Sequence, residues 1–442
     1  MKKDKIKEAL LALKIEQLTP LQERTINLAT DKRDMIVLSP TGSGKTLAYL
    51  LPLLEILEKQ QPKGISVMVL VPSRELAIQV HKVFSSLKSG FNSVCCYGGH
   101  SLLDEQNALQ TGNPHVLIGT PGRILDHLNR KNINTSEIEL LIIDEFDKAL
   151  ELGFHEEMDE IISLLPVLRR RILLSATDAD EIPQFTGVGR SVRLDYLEDE
   201  TELSERLQLM QVHSPQKDKL ETLYQLLCSL GAESSIVFCN HRESVDRISN
   251  YLQQKGIVCE SFHGGLDQDS RERGLFKFTN GTVFTLIATD LASRGLDIPR
   301  VEHIIHYHLP LNEEAFTHRN GRTARWEAEG TSYVILHGEE YLPEYIDQKV
   351  PEYQFPNQIP EPMQPKWVTI YIGKGKKEKI NVIDIVGFMH KIGKLDKGDV
   401  GKIAVKDHFS YVAINRKKVN QLLQRIKNEK IKGMKTIFQE AY

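Results

Sequence analysis

The sequence predicts an α/β protein with two tandem parallel-sheet domains, followed by a small α+β domain. Three observations support this fold class. Residues 1–200 alternate short apolar runs with helical patterns, and residues 205–342 repeat the same plan. A proline-rich segment, 343–365, holds 6 of the chain's 18 prolines and predicts a stiff extended linker. Residues 366–442 then follow a different order of strands and helices.

The runs that predict strands in the first two domains are short and apolar, and polar, proline or glycine residues end them. They span 35–39, 67–72, 116–120, 138–144 and 171–175 in the first domain, and 235–239, 258–262, 282–288, 303–307 and 331–336 in the second. Strands that alternate with helices imply a parallel sheet, and such sheets bind ligands beyond the carboxyl ends of their strands.

The last 77 residues predict a strand, a helix, two strands, a helix and a final strand. These elements span 367–372, 382–391, 402–405, 410–414, 417–428 and 436–438. This order is that of the RRM, a common RNA-binding fold. We therefore expect an RRM-like domain at 366–442.

Composition and charge limit the classes of function. The 442-residue chain is 40% hydrophobic and 26% charged, and it lacks an apolar run of the roughly 18–20 residues that a membrane helix needs. The apolar segment 9–15 is too short for a signal peptide, so we expect a cytoplasmic protein without a membrane partner. The five cysteines form no CxxC pair, which favours buried, reduced thiols over a metal site.

Charge is distributed unevenly along the chain. Residues 366–442 carry 18 Lys and Arg against 7 Asp and Glu, a net charge of 18 − 7 = +11, whereas the whole chain has −4. The first 365 residues therefore carry −4 − 11 = −15. A basic, folded segment on an acidic protein indicates an anionic partner at that end.

A phosphate-binding loop follows the first predicted strand. Ser39-Pro-Thr-Gly-Ser-Gly-Lys-Thr46 precedes a helical pattern, which is the context of a Walker A loop, with Ser in place of the usual first Gly or Ala. Lys45 would reach the β and γ oxygens of ATP, and the Thr46 hydroxyl would bind Mg²⁺. The nucleotide-binding residues predicted here are Thr41, Gly42, Ser43, Gly44, Lys45 and Thr46.

Two acidic residues end the fourth predicted strand. Asp144 would hold Mg²⁺, and Glu145 would orient and deprotonate the attacking water. Two acids after a strand could instead form a turn or a helix cap. Their position about 100 residues after a Walker A loop favours the catalytic role.

With Asp144-Glu-Phe-Asp147, the chain resembles the DEAD-box RNA helicases, whose motif is Asp-Glu-Ala-Asp. The resemblance implies that both parallel-sheet domains are RecA-like and that the chain hydrolyses ATP. Phe146 replaces a methyl group with a ring, and overpacking of a core commonly costs about 1–3 kcal/mol. An RNA-binding anchor that has lost hydrolysis therefore stays open as an alternative.

The resemblance assigns roles to further motifs of the first domain. Gln22 of Thr19-Pro-Leu-Gln22 would bind adenine. Ser175 and Thr177 would couple hydrolysis to RNA separation through hydroxyl hydrogen bonds to Asp147. The predicted RNA contacts are Arg74, Gly99, Thr120 and Arg123.

In the second domain, His318-Arg-Asn-Gly-Arg-Thr-Ala-Arg325 matches the arginine motif of the family. Arg322 and Arg325 would stabilise charge on the transferring phosphate, and His318 and Arg319 would support them or bind Asp147. Because the lysine and acids lie on one domain and the arginines on the other, hydrolysis would require both domains to close. Gly295 and Asp297 would contact the nucleotide, and Gln268, Arg271, Thr289 and Arg294 would contact RNA.

The last domain resembles the C-terminal RNA-binding domain of DbpA-type bacterial helicases, through Thr369-Ile-Tyr-Ile-Gly-Lys-Gly-Lys-Lys and His408-Phe-Ser-Tyr-Val-Ala413. The resemblance implies binding to a hairpin of large-subunit ribosomal RNA, work on pre-ribosomal particles and a monomeric chain. A P-loop enzyme unrelated to RNA is a further alternative, opposed by the arginine motif and the basic tail. The predicted RNA contacts of the tail are Lys374, Lys376, Lys377, Arg416, Lys430 and Lys432.

Overall fold

The computed structural model describes residues 5–40, 42–99, 101–177, 182–197, 207–292, 301–323, 330–346 and 349–441. They form two compact units with the boundary at Leu207. The first unit is the first parallel-sheet domain, and the second contains both the second parallel-sheet domain and the C-terminal domain. Within the described residues, no helix is long and apolar enough to cross a bilayer.

The first domain is built on a seven-stranded parallel sheet with the order β3-β4-β2-β5-β6-β1-β7. Its strands are β1 (Asp34–Leu38), β2 (Val67–Leu70), β3 (Ser93–Cys96), β4 (Val116–Gly119), β5 (Leu140–Ile143), β6 (Arg170–Ser175) and β7 (Ser191–Asp195). Its helices are α1 (Lys5–Leu13), α2 (Pro20–Asn27), α3 (Lys45–Gln60), α4 (Arg74–Ser86), α5 (Leu102–Thr111), α6 (Pro121–Asn129), α7 (Phe146–Glu151) and α8 (His155–Ser163).

The central strands of this sheet are apolar throughout because both faces are covered by helices. Alternate side chains of β2 enter different cores: Val67 and Val69 pack on one face, and Met68 and Leu70 on the other. Every residue of β2, β4 and β5 is buried. The polar residues that follow these strands lie at one edge of the sheet, where the predicted motifs are found.

The second domain has a six-stranded parallel sheet with the order β10-β11-β9-β12-β13-β8. Its strands are β8 (Leu207–Ser214), β9 (Ser235–Phe238), β10 (Cys259–Phe262), β11 (Thr285–Ala288), β12 (His303–His306) and β13 (Gly330–His337). Its helices are α9 (Leu220–Leu230), α10 (Arg242–Gln254), α11 (Gln268–Thr279) and α12 (Glu313–Asn320).

The proline-rich segment packs against the second domain. Gln211 of the edge strand β8 donates its N–H to the Pro351 carbonyl at 2.9 Å and accepts from the Tyr353 N–H at 2.7 Å. Tyr353, Phe355 and Ile359 pack against the core of the domain. The segment is extended, as its prolines require, but it is held along the domain surface.

The C-terminal domain has a four-stranded antiparallel sheet with the order β15-β16-β14-β19. Its elements are β14 (Trp367–Ile372), α13 (Val382–Lys391), β15 (Val400–Val405), β16 (Ser410–Asn415), α14 (Val419–Ile426), the hairpin strands β17 (Lys430–Ile431) and β18 (Met434–Lys435), and β19 (Phe438–Glu440). Both helices cover one face of the sheet, where Ile370, Val412, Phe388 and Leu422 share a core. The predicted fold class, two parallel-sheet domains and a small α+β domain, is confirmed.

Candidate active site

The phosphate-binding loop joins β1 to α3, and its glycines adopt backbone conformations that other residues rarely reach. Gly42 has φ +90° and Gly44 has φ +86°. A Cβ atom at Gly44 would lie 2.5 Å from Nε2 of Gln22. The positive φ therefore favours glycine at position 44, and a side chain there would also displace the Gln22 amide.

Lys45 turns back into this loop. Its side chain is 8% exposed, and Nζ donates to the Ser39 carbonyl at 2.6 Å. Ser39 also donates its hydroxyl to Oγ of Ser43 at 2.6 Å, so serine fits the first loop position. The Lys45 charge thus lies at the N-terminus of α3, where the phosphate oxygens of a bound nucleotide would also accept hydrogen bonds from Nζ.

Gln22 lies against the same loop. Its Oε1 accepts from the Thr19 N–H at 3.1 Å, and its Nε2 donates to the Gly44 carbonyl at 3.3 Å. A side-chain amide can donate two hydrogen bonds and accept two, so one of each is left for a ligand. The geometry is compatible with the predicted contact to adenine and also ties α2 to the phosphate loop.

Asp144 is a buried carboxylate at the end of β5, 3% exposed. Its Oδ2 accepts from the Tyr49 hydroxyl at 3.1 Å, and its Oδ1 accepts from the Glu145 N–H at 3.0 Å. Burial raises the pKa of Asp144, while the charge of Lys45 and the bond from Tyr49 oppose that rise. Burial and the neighbouring carboxylate raise the pKa of Tyr49, so its hydroxyl remains a donor. Asp144 and the Thr46 hydroxyl offer the hard oxygen ligands that Mg²⁺ prefers.

Glu145 has φ +51°, in the left-handed region, and immediately precedes α7. A non-glycine residue there is strained and is typical of a functional position. Phe146 follows it, 2% exposed, in the core shared by α7 and the sheet. The ring is accommodated without breaking the helix, because the Ala149 N–H still donates to the Glu145 carbonyl at 3.0 Å.

The residues predicted to couple hydrolysis to RNA separation meet after β6. Asp147 Oδ2 accepts from the Thr177 hydroxyl at 3.1 Å and from the Ala176 N–H at 3.3 Å. The expected bond from the Ser175 hydroxyl to Asp147 is wrong. That hydroxyl donates instead to the Thr177 carbonyl at 2.6 Å, because the tight turn brings this acceptor closer.

The three predicted RNA-binding elements of the first domain follow β2, β3 and β4. Arg74 lies over Gly98 and Gly99, where a Cβ atom at Gly99 would come within 2.5 Å of its guanidinium. Arg123 donates to Glu105 at 3.0 Å and keeps 14% of its side chain exposed. Thr120 is 9% exposed. It directly follows β4, and its N–H donates to the Cys96 carbonyl of β3.

Arg319 is fully buried in the second domain. Its guanidinium donates to both carboxylate oxygens of Asp290, at 2.6 and 3.2 Å, to the His308 carbonyl at 2.9 Å and to Oδ1 of Asn240 at 2.8 Å. These contacts hold the Arg319 guanidinium within its own domain.

The other predicted residues of the second domain differ in exposure. His318, in the last turn of α12, and Arg322, just after this helix, are each 2% exposed. Arg271 is 5% exposed and donates to Oε1 of Gln268 at 2.7 Å, so it positions Gln268. Thr289, after β11, is partly exposed.

Five predicted site residues from both domains lie outside the described residues: Thr41, Arg294, Gly295, Asp297 and Arg325.

The C-terminal domain exposes several of the lysines predicted to contact RNA. Lys376, Lys377 and Lys430 are exposed, whereas Lys374 pairs with Glu378 at 3.9 Å. Lys432 pairs with Asp384 at 3.0 Å. Arg416 donates to the Pro365 carbonyl at 2.6 Å, which anchors the end of the linker.

The outer face of the antiparallel sheet, opposite its helices, packs on α11 of the second domain. Tyr411 stacks on Phe276 at 5.4 Å between ring centroids, and Thr369 bonds Asn280 and Thr282 at 2.9 and 2.8 Å. Lys406 pairs with Glu272. Tyr411 is therefore 4% exposed, and this face is a contact between domains.

Four residues that position predicted site residues are not themselves predicted from the sequence. Tyr49, Asp290, Asn240 and Glu105 each bond a predicted site residue across 18 to 95 positions of the chain. A search for polar residues one or two turns into the helices that follow each motif would have found Tyr49 and Glu105. No local pattern marks Asp290 and Asn240.

Three family models match the chain: the DEAD/DEAH box helicase domain at residues 19–185, the helicase conserved C-terminal domain at 218–327, and the DbpA RNA-binding domain at 369–439. The ATP-dependent RNA helicase DbpA of Bacillus subtilis is 30% identical over 97% of this chain and 95% of its own length. The ATP-dependent RNA helicase CshA of Listeria monocytogenes is 35% identical over 75% of this chain and 64% of its own.

A solved structure gives the same result. Dbp5 of S. cerevisiae bound to RNA and ADP BeF3 matches with a TM-score of 0.68 and 27% identity, over 76% of this chain and 88% of that one. The matched families, the relatives and the phosphate and acid motifs agree with each other. The chain belongs to the DEAD-box family of ATP-dependent RNA helicases and carries a C-terminal RNA-binding domain of the DbpA type.

Proposed function

We propose that this helicase remodels large-subunit ribosomal RNA during ribosome assembly in the cytoplasm, acting as a monomer on pre-ribosomal particles. The match of residues 369–439 to the DbpA RNA-binding domain carries this proposal. The net charge of +11 over residues 366–442 supports it, because contacts to RNA phosphates need a basic surface. A hairpin of the ribosomal RNA would bind this domain, and the two helicase domains would act on duplexes nearby.

In the proposed mechanism the first domain holds the nucleotide. Lys45 binds the β and γ phosphates, Gln22 contacts adenine, and Asp144 with the Thr46 hydroxyl would hold Mg²⁺, which neutralises phosphate charge. Glu145 immediately precedes α7 in a left-handed backbone conformation. In this mechanism its carboxylate orients the attacking water and accepts its proton.

The second domain supplies the arginines. Arg322 and Arg325 would stabilise the transferring phosphate when the two domains close, and RNA held across both domains would be bent as they do so. A bent strand cannot remain in an A-form duplex, so the complementary strand is released. ATP and RNA then favour the same closed state, and each must strengthen binding of the other.

The exposed lysines Lys376, Lys377 and Lys430 are the proposed RNA contacts of the C-terminal domain. Lysine charges fix position on a phosphate backbone but do not read sequence by themselves. Stacking of bases on Tyr411 is disfavoured because Phe276 already covers that ring. Selection of the hairpin therefore depends on residues that neighbour these lysines rather than on the Tyr411 ring.

The alternative of an anchor that no longer hydrolyses ATP loses its structural basis. Phe146 is the feature that suggests it. The ring packs in the core, and Asp144 on one side and Asp147 on the other still accept hydrogen bonds from the Glu145 N–H and the Thr177 hydroxyl.

The test measures ATPase activity of the full chain with fragments of large-subunit and small-subunit ribosomal RNA of equal length. We expect a hairpin-containing large-subunit fragment to reach half-maximal stimulation at a concentration at least about tenfold lower, a difference of about 1.4 kcal/mol. Equal stimulation by both fragments would refute the ribosomal target, and the absence of any RNA stimulation would refute the mechanism.

A further inference from the structure

A buried carboxylate lies directly beneath the RNA-binding elements of the first domain. Glu105, on α5, is 3% exposed. Its Oε1 accepts from the Tyr97 N–H at 2.9 Å. Its Oε2 accepts from Arg123 at 3.0 Å and lies 2.8 Å from Nε2 of His127.

The hydrogen bonds of His127 fix which of its nitrogens carries a proton. The side-chain amide of Asn132 lies 3.0 Å from Nδ1 and donates to it. Nδ1 is therefore an acceptor, and the proton is on Nε2, which donates to Glu105. Glu105 thus receives three donors, and such bonds are what allow a carboxylate to remain charged in a protein interior.

Two of these donors belong to different RNA-binding elements. Tyr97 immediately precedes Gly98 and Gly99, after β3. Arg123 ends the Thr120-Pro-Gly-Arg123 element, after β4. A single carboxylate therefore ties the two loops together and pairs with the arginine charge.

We propose that Glu105 is a positioning residue that sets the Gly98–Gly99 loop and the Arg123 guanidinium in register for two phosphates of a bound RNA strand. The proposal rests on the RNA-binding role given to Arg123 and Gly99 above. His127 and Asn132 complete the arrangement, because they hold Glu105 Oε2 facing Arg123. Glu105 itself does not touch the RNA.

A metal site is the other chemistry that this cluster suggests. Ligand atoms of Cys96, Glu105 and His127 lie within 4.8 Å of one another. Arg123, however, already places a positive charge on the same carboxylate oxygen that a cation would use. Burial also raises the pKa of the Cys96 thiol, which disfavours the thiolate that a metal would need. The positioning role therefore fits the cluster better.

The test replaces Glu105 with glutamine. The amide removes the charge that Arg123 pairs with, and its NH₂ group must face at least one of the present donors. We expect the RNA concentration for half-maximal ATPase stimulation to rise about tenfold, as for loss of one charge-assisted contact. KM for ATP should change less than twofold.

The salt dependence of RNA binding separates positioning from general loosening. Loss of one phosphate contact on a single strand lowers the slope of log K against log salt by about 0.7. We expect this reduction in Glu105→Gln. Leu109→Val is the matched control, since it removes one methylene from the other buried residue of the same helix and should retain both the slope and the affinity.

Two further variants make the outcome decisive. Arg123→Ala tests the RNA-binding role alone: if it leaves RNA affinity unchanged, that part of the proposed function fails. If Arg123→Ala weakens RNA binding and Glu105→Gln does not, only the positioning role fails. Should Glu105→Gln not fold, Glu105→Asp keeps the charge but shortens its reach, and an affinity equal to that of the unmodified chain would overturn the proposal.

Discussion

Tyr411 of the C-terminal domain lies over Phe276 of the second parallel-sheet domain, with ring centroids 5.4 Å apart and ring planes inclined by 23°. Tyr371 and Phe409 surround the pair on the same sheet face. In an RRM the aromatic residues of this sheet stack RNA bases. Here Phe276 of α11 covers Tyr411, while Tyr371 and Phe409 are only partly buried. Tyr411 therefore links two domains, and the N-terminus of the same helix carries Gln268.

Replacing Phe276 with alanine should loosen the C-terminal domain from the second domain. The change removes the ring stack and its buried area, a loss of about 1–3 kcal/mol at a partly buried contact. We expect faster protease cleavage within residues 356–365, measured by limited proteolysis. Affinity for the hairpin should stay within twofold, because the exposed lysines are not part of this contact.

Tyr341→Ala is the matched control for that variant, because Tyr341 is 80% exposed and its loss should not alter cleavage. Unchanged protection in Phe276→Ala would show that the stack does not hold the domains together. A large gain in hairpin affinity would show instead that the aromatic face binds RNA once it is uncovered.

Replacing Arg319 with lysine should destabilise the second domain. Lysine cannot reach Asp290, Asn240 and the His308 carbonyl together, and each buried acceptor that loses its donor costs about 1–3 kcal/mol. We expect the melting temperature to fall by about 10 °C, measured by calorimetry. Arg242→Lys, at an exposed ion pair, should leave it unchanged. Loss of ATPase activity with full thermal stability would indicate a direct catalytic role for Arg319 instead.

The strands that the sequence predicts are those whose residues are buried on both sides. Runs such as Val67–Leu70 and Leu140–Ile143 are apolar throughout because helices cover both sheet faces. In the two parallel sheets, the strands that it missed, β3, β7 and β8, are edge strands. Two of the four residues of β3, Ser93 and Cys95, are only partly buried, and the strand contains a single strongly apolar residue, Val94, so a search for apolar runs passes over it.

The candidate site divides in the same way. Gly44, Lys45, Asp144 and Glu145 belong to short motifs at strand ends, where the local sequence dictates the geometry. The partners of Arg319 come from three separate segments, and Phe276 covers Tyr411 from another domain. Such contacts depend on how the chain packs in three dimensions, and their residues carry no local signature.

Replacing Tyr49 with phenylalanine should shift the pH dependence of ATP hydrolysis. The Tyr49 hydroxyl donates to the ionised form of Asp144 and thereby lowers the pKa that burial has raised. Without it, the pKa of Asp144 rises further, and the carboxylate is protonated at a higher pH. We expect the acid limb of kcat/KM to move upward by about one pH unit.

Tyr251→Phe is the control for Tyr49→Phe, since Tyr251 also donates to a carboxylate, Glu221, at 2.7 Å, but far along the chain from the phosphate loop. Its pH profile should match that of the unmodified chain. If the pH profile of Tyr49→Phe coincides with those of Tyr251→Phe and the unmodified chain, the Tyr49 hydroxyl does not lower the pKa of Asp144.

Replacing Glu145 with glutamine should block hydrolysis while ATP and RNA still bind. Glutamine keeps the shape of the side chain and its left-handed backbone but cannot accept the proton of the attacking water. General-base catalysis contributes about 10²–10⁴-fold, so turnover should fall by that factor in a steady-state ATPase assay. RNA should dissociate more slowly in the presence of ATP, because the closed state is no longer reopened by hydrolysis.

Glu151→Gln, at a partly exposed ion pair on the helix that follows Glu145, is the control. If Glu145→Gln turned over within threefold of the unmodified chain, the base would lie elsewhere, whereas loss of ATP binding would assign Glu145 to holding the nucleotide and its cation.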